Sequence, residues 1–275
     1  YFHTHNLPPA HLSVWTHPAL QLPESIPVVA YDEMTREFRG KFAGLGRCEF
    51  LQSEDWSPAF YRAQARLGYI AISGEPCGRL VLMPQLQESY AVLAWNNLRL
   101  DRDVKKIIDS GRIQSENIRL QIDPDPGTVL DELEKAWSSS TWLRPPYAKL
   151  IRRLASPAER DADEGFRVWG VRLTAGAQNL TTAGELGYSI GRTYTSLSGF
   201  FHRENRGWNN FGKLQMVLLA RLLENAGCAF WNLGHPYMRY KTRLGAEILS
   251  RSEFLERWDT AAQGPSPDLS FHDPL

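Results

Sequence analysis

No excess of charge of either sign runs through these 275 residues: lysine plus arginine and aspartate plus glutamate stand at 31 each. Such a chain has no long-range positive field with which to gather a polyanion, so any contact with nucleic acid has to be local. Cysteine is scarce as well. Cys48, Cys77 and Cys228 are scattered, odd in number and free of CxxC spacing. That excludes a disulfide framework and a zinc ribbon, and it points to an intracellular, reducing compartment, either the cytoplasm or an organelle matrix. No apolar run nears the roughly 20 residues needed to cross a bilayer, so no membrane insertion is expected. No internal repeat is visible either, which argues against a solenoid. The chain opens on YFHTHNLPPAHLSVW without an initiator Met, and these residues carry no readable address.

What is present is a globular composition, 43% apolar, enough to bury a core. Residues 1–30, rich in proline and histidine, read as an extended tail, and residues 259–275 read the same way. His3, His5, His11 and His17 lack a carboxylate or cysteine set at fixed spacing, so no metal site is expected there. From 57 to 68, SPAFYRAQARLG offers Ser at the cap, Pro at the first helical position and Gly at the stop, which predicts a helix. Short strand-like runs follow in YIAIS, RLVLM and YAVLAW. The segment DRDVKKIIDSGR predicts a helix ending at Gly111, TVLDELEKAWSSS a helix opened by a Thr-x-x-Asp capping box, and PPYAKLIRRLA a short basic helix.

The second half turns to strands: FRVWGVRL, ELGYSI and TYTSLSGF. In GKLQMVLLARLLENAG, Leu214, Val217, Leu218 and Leu222 fall on one face while Met216, Leu219 and Leu223 fill the other, so that helix is buried on more than one side. A strand, CAFWNLG, leaves it directly, and SEFLERW makes a last helix. Strands, one central helix, then a further strand is the order of an α+β fold with a helix packed across a sheet. The stretch GELGYSIGRTYTSLSGFF, crowded with hydroxyls, aromatics and glycines, reads either as a polar core hairpin or as a pocket wall; strand alternation sends Tyr194, Ser196 and Ser198 to one face.

From Ser57 to Trp258 these pieces resemble, in order, the leucyl/phenylalanyl-tRNA-protein transferase family. The resemblance is carried by RAQARLGYI, by YAVLAWNNLRLDRDVKKIIDSGR, and by STWLRPPYAKL with Thr141, Trp142, Tyr147 and Leu150. It continues through Gly184, Gly187, Gly191, Ser198 and Phe200 in the glycine-rich hairpin, and through Leu244, Gly245, Ala246, Arg251 and Phe254 in KTRLGAEILSRSEFL. It implies a small α/β amino-terminal domain over 31–140 and an acetyltransferase-like (GNAT-type) domain over 141–258. It also implies an aminoacyltransferase that moves leucine or phenylalanine from its tRNA to a protein amino terminus, with no cofactor. An amine attacking an ester carbonyl needs a proton acceptor, stabilisation of the oxyanion and a proton for the leaving ribose hydroxyl. On the family pattern, Trp142, Tyr194, Leu197 and Phe200 would line the hole for the esterified side chain, with Ser198 and Asn232 at the reacting centre.

The departures fall at that centre. Asn232 and Gly234 stand where the family carries aspartate and glutamine, Arg167 where it carries a glutamate, and Leu197 where it carries another. An arginine there would repel a basic amino terminus by about 1 to 4 kcal/mol at contact distance. Two readings follow: aminoacyl transfer with a rewritten centre, or a catalytically inactive relative serving as a structural or interaction subunit of a larger assembly. For tRNA, Arg102, Lys105, Lys106 and Arg112 form one basic cluster, interleaved with Asp101, Asp103 and Asp109. Arg144 and Lys149 lie with Arg152 and Arg153 in a second. The loop FHRENRGWNNFGK adds His202, Arg203, Arg206, Trp208 and Lys213 ahead of a helix amino terminus, where a phosphate is favoured. Its lack of a glycine-rich signature makes an acyl-CoA donor the weaker option.

Overall fold

A computed structural model describes residues 26–45, 49–76, 78–137, 142–202 and 206–271. The histidines of the opening segment, Cys48, Cys77, Thr141 and Arg203 lie outside the described residues, as does the Arg206 side chain. The chain divides into two compact units, one of residues 1–86 with 134–150, the other of residues 87–133 with 151–275.

In the first unit, α1 (Arg36–Ala43) and α2 (Pro58–Arg66) each begin on a hydroxyl cap: Thr35 Oγ1 accepts from the Phe38 amide and Ser57 Oγ from the Phe60 amide, both at 3.1 Å. Each cap satisfies one of the amides that a helix start leaves without a partner. Strands β1 (Ile70–Gly74) and β2 (Val81–Gln85) pair antiparallel, Ile70 opposite Gln85 and Gly74 opposite Val81. Their apolar side chains, with Ile26 and Phe50, make a small core against which Trp142 packs. The end of the expected amino-terminal tail is therefore part of this unit. Ile26 is buried, and Val29 and Gln52 exchange main-chain bonds with Gln52 and Pro27. Local composition hid this because the partner strand segment lies over 20 residues away.

The second unit is built on a seven-stranded sheet of order β4-β5-β6-β7-β8-β3-β9. Its strands are β3 (Ser89–Leu93), β4 (Arg119–Asp123), β5 (Phe166–Ala175), β6 (Leu180–Ile190), β7 (Thr193–Phe201), β8 (Phe230–Asn232) and β9 (Glu247–Ser250). All neighbours pair antiparallel except β7 and β8. That parallel step demands a crossover, supplied by the long helix α8 (Phe211–Asn225), which the run of leucines predicts. Phe211, Leu214, Val217, Leu218, Leu222 and Leu223 are buried with Trp169, Val171 and Trp231 of the sheet in one core. The fold is α+β with the acetyltransferase-like arrangement: an antiparallel meander, a crossover helix, and a parallel strand beyond it.

Two features correct the expected division at residue 140. β3 and β4 belong to the large sheet, β3 between β8 and β9 and β4 on the edge beside β5, so residues 87–133 fold with the second unit. The carboxy-terminal segment is docked as well: Leu269 is fully buried in the large core. The remaining helices are α3 (Arg102–Asp109), α4 (Arg112–Ser115), α5 (Gly127–Trp137), α6 (Pro145–Leu154), α7 (Pro157–Ala162), α9 (Arg239–Leu244) and α10 (Arg251–Ala261). α5 starts one residue before the expected capping box. Asp125 Oδ1 accepts from the Gly127 amide at 2.9 Å and starts the helix, so Thr128 lies within its first turn.

Candidate active site

The pairing of β7 with β8 runs only from Thr193 opposite Phe230 to Thr195 opposite Asn232. β7 itself continues to Phe201, paired on its other side with β6. The β7–β8 pairing thus ends at Thr195 while β7 runs on beside β6. At the same place the β6–β7 register shifts: Gly187 faces Ser196 and Leu186 faces Ser198, so Leu197 is the extra residue of a bulge. A bulge re-aims side chains and is common beside reactive sites. Here Ser196, Leu197 and Ser198 are half-exposed while Thr193, Tyr194 and Thr195 are buried.

Behind that opening sits Glu185 of β6, 5% exposed. Its Oε1 accepts two hydrogen bonds, from Ser196 Oγ at 2.8 Å and from the Tyr194 hydroxyl at 3.1 Å. Oε2 accepts from Gln215 Nε2 of α8 at 3.4 Å. Burial pushes the carboxyl up to about 7, and the bonds from Ser196, Gln215 and Tyr194, with the charge of Lys241, pull against that rise. A carboxyl so placed is a base poised near neutrality. Ser196 Oγ is fixed from a second direction by Trp231 Nε1, which donates to it at 2.8 Å. The hydroxyl is therefore held between an indole of β8 and a carboxylate of β6, at the point where the two strands part.

Lys241 of α9 is a second buried charged residue of this unit, 3% exposed. Its ammonium donates to the main-chain oxygens of Leu233 and His235, which ties down the loop leaving β8. Burial lowers it to about 7, opposed by the charge of Glu185. Burial, with Glu185, also raises the phenols of Tyr194 and Tyr240. Among the described residues no group of three or more His, Cys, Asp or Glu side chains is placed to hold a metal ion.

The residues expected at the site are only partly brought together. Tyr194 is fully buried, its hydroxyl on Glu185 and its ring edge-on to Trp231 at 6.1 Å. It belongs to the core side of the hairpin. Asn232 is buried too: its Oδ1 accepts from the Gly234 amide at 2.9 Å and its Nδ2 donates to Thr195 Oγ1 at 3.4 Å, so it shapes the turn after β8. Leu197 and Ser198 border the opening. Phe200 is buried against Gly184, where an added Cβ would meet its ring at 2.9 Å. Trp142 belongs to the first unit, its main-chain oxygen accepting from Ser73 Oγ and its ring edge-on to Tyr147 at 4.9 Å. Arg167, opposite Ser189 on β5, spends Nη1 on the carbonyls of Arg160, Asp163 and Phe166, closing the end of α7. Its charge is committed to main-chain oxygens four residues along β5 from Val171, the residue opposite Glu185.

Of the basic residues, Arg102, Lys105 and Lys106 are exposed on α3, Lys106 lying 3.9 Å from Asp103. Arg112 is engaged, bonded through Nε and Nη2 to Glu116 at 2.6 and 2.9 Å and through Nη2 to the Gly207 oxygen at 2.9 Å. Arg144 and Lys149 are exposed in the first unit. In the loop before α8, His202 Nε2 lies 3.2 Å from Glu132; Lys213, expected in that loop, lies in the first turn of α8 and is paired with Asp101 at 2.9 Å.

Sequence reasoning passed over Glu185, Gln215 and Lys241, and gave Ser196 a place on the strand face but no role. The signal for Glu185 was one acidic residue inside an otherwise apolar and small-residue strand, GELGYSI, where a lone carboxylate has to be satisfied from neighbouring strands. No protein-family model and no curated protein matches the chain. Solved structures to which it is similar include L-PGS from Bacillus licheniformis, at 10% identity over 81% of this chain and 74% of that one with a TM-score of 0.41. FemX is similar at 9% identity over 84% and 80%, TM-score 0.41. A tandem GNAT protein from the clavulanic acid biosynthesis pathway is similar at 15% identity over 78% and 68%, TM-score 0.35. None reaches a TM-score of 0.5, so the chemistry rests on this chain's own residues.

Proposed function

We propose that the protein is an acyltransferase that moves an aminoacyl group from an ester donor, aminoacyl-tRNA, to an amine. By the sequence resemblance the group is leucine or phenylalanine and the amine a protein amino terminus. The observation that carries this reading is the Ser196–Glu185 hydrogen bond at the parting of β7 and β8: the hydroxyl of a partly exposed residue backed by a buried carboxyl with its pKa near neutrality. Aminolysis of an ester needs a group that takes a proton at neutral pH, and a carboxyl of ordinary pKa would be too weak a base. The carboxylate that Leu197 replaces on β7 is here supplied from β6, its residue 185 paired opposite Gly199. In this reading Leu197 and Ser198 border the acyl group, Phe200, Tyr194 and Asn232 hold the strands that shape the opening, and Trp142 and Arg167 act structurally. Arg102, Lys105, Lys106, Arg144 and Lys149 supply phosphate contacts.

One observation favours the other reading, a non-catalytic subunit. Tyr194 and Asn232, which the resemblance puts at the substrate hole and the reacting centre, are at most 1% exposed, Tyr194 bonded to Glu185 and Asn232 to Thr195 and Gly234. The deciding experiment incubates the protein with leucyl- or phenylalanyl-tRNA and peptides of varied first residue. Amide formation that E185Q abolishes supports the transferase. Failure with every donor and acceptor, together with no salt-sensitive tRNA binding, leaves the subunit reading.

A further inference from the structure

Glu185 is 5% exposed, with Oε1 facing Ser196 and Tyr194 and Oε2 facing Gln215. The partly exposed residue bonded to that carboxyl is Ser196. Its proton is directed at Glu185 Oε1, and one of its lone pairs takes the Trp231 indole proton. A second lone pair remains, on an oxygen held from two sides. Nucleophile, base within hydrogen-bond reach, and further groups orienting that base form the constellation of covalent catalysis, with Tyr194 and Gln215 as the orienting groups.

We infer that Ser196 is a nucleophile that carries the acyl group covalently, with Glu185 as its base. The inference rests on the acyl-transfer reading above and deepens it. In the first half-reaction Ser196 Oγ bonds to the ester carbonyl carbon and its proton passes to Glu185. The carbon–oxygen bond to the donor breaks, and the departing hydroxyl takes the proton from Glu185. In the second, the acceptor amine bonds to the same carbonyl carbon and gives a proton to Glu185. The bond to Ser196 breaks and Oγ recovers that proton. One ester and one amine become one alcohol and one amide, with no change of oxidation state. The Trp231 indole sets the direction of attack by fixing Oγ.

The test uses the full chain and a probe that needs no knowledge of the donor, an alkyl fluorophosphonate. Intact-mass analysis is expected to show one equivalent of probe, and peptide mapping to place it on Ser196. Labelling is expected to vanish in S196A and to slow by about 100-fold or more in E185Q. Near-UV circular dichroism of each variant shows whether its core is intact. S196C, which keeps a nucleophile of similar size, is expected to restore covalent capture, detected as an acyl thioester after exposure to a p-nitrophenyl acyl ester. Folded wild-type protein that takes no label, or takes it on another residue, overturns the assignment. So does S196A that labels as fast as wild type. Transfer from charged tRNA without any Ser196 adduct overturns the covalent step alone and leaves the acyl-transfer reading standing; absence of both overturns the two together.

Discussion

Gly187 on β6 and Tyr194 on β7 occupy one space. A Cβ on Gly187 would come within 3 Å of the tyrosine ring and hydroxyl, and also of the main-chain oxygen of Thr195. The phenol can reach Glu185 only because residue 187 has no side chain. Gly187→Ala is therefore expected to destabilise the protein by about 1 to 3 kcal/mol through overpacking and to break the Tyr194–Glu185 bond. Denaturant titration reads the first effect and the tyrosine absorbance band the second. An alanine variant of wild-type stability would mean that the hairpin opens at little cost.

Glu185 makes stability depend on pH in an unusual direction. Its folded pKa lies above its unfolded value, so between about 4.5 and about 7 the native state holds more of the proton than the unfolded chain. Its contribution is whole below the unfolded value and is lost as pH rises through about 7. The groups that face it are Tyr194 and Ser196 from β7, Gln215 from α8, and Lys241 with Tyr240 from α9. Glu185→Gln removes this dependence, so the variant is expected to gain on wild type by about 3 kcal/mol between pH 4 and pH 9. Unfolding free energies of both proteins across that range check the sign; a constant difference would place the carboxyl in solvent.

Lys241 acts in the opposite sense. Its folded value is lowered, so from about 7 to about 10.5 the unfolded chain binds more protons and stability rises with pH. Lys241→Met is expected to free the carbonyls of Leu233 and His235, speeding amide hydrogen exchange across residues 233–238, and to flatten the alkaline limb of the stability curve. Unchanged exchange there would show that the loop is held by its neighbours alone.

The basic cluster of α3 and α4 divides into exposed and engaged charges. R102A/K105A/K106A is expected to weaken tRNA binding and to lower the slope of log affinity against log salt by about 2 to 3, near one per lost phosphate contact. Arg112→Ala is expected to act on stability instead, by about 0.5 to 1 kcal/mol, because its guanidinium is half-exposed and already paired with Glu116. Equal salt slopes in wild type and the triple variant would remove α3 from the binding face.

Local signals in the sequence found the local structure. Ser57 and Pro58 open α2, Gly111 with its φ of 74° ends the turn after α3, and the leucines of α8 are buried on two sides, each as read. The sheet order was not legible, because β3 meets β8 and β9 from over 130 residues away and short strands carry no record of their partners. The same limit hid the candidate site. Alternation correctly set Ser196 with Tyr194 on one face, but which carboxylate that face would meet depended on the β6–β7 register and on the bulge at Leu197. Arg167, singled out by its chemical contrast with the family pattern, turned out to cap α7, a use that only the turn from α7 into β5 reveals.

The carboxyl at residue 185 draws its hydrogen bonds from residues 194, 196 and 215, and the hydroxyl at 196 draws one from 231. No single hairpin holds all of these groups; the hairpin, the crossover helix and the strand after it must all be in place. A chain emerging during synthesis thus has no reactive serine until Trp231 has docked, which keeps a half-folded molecule chemically silent.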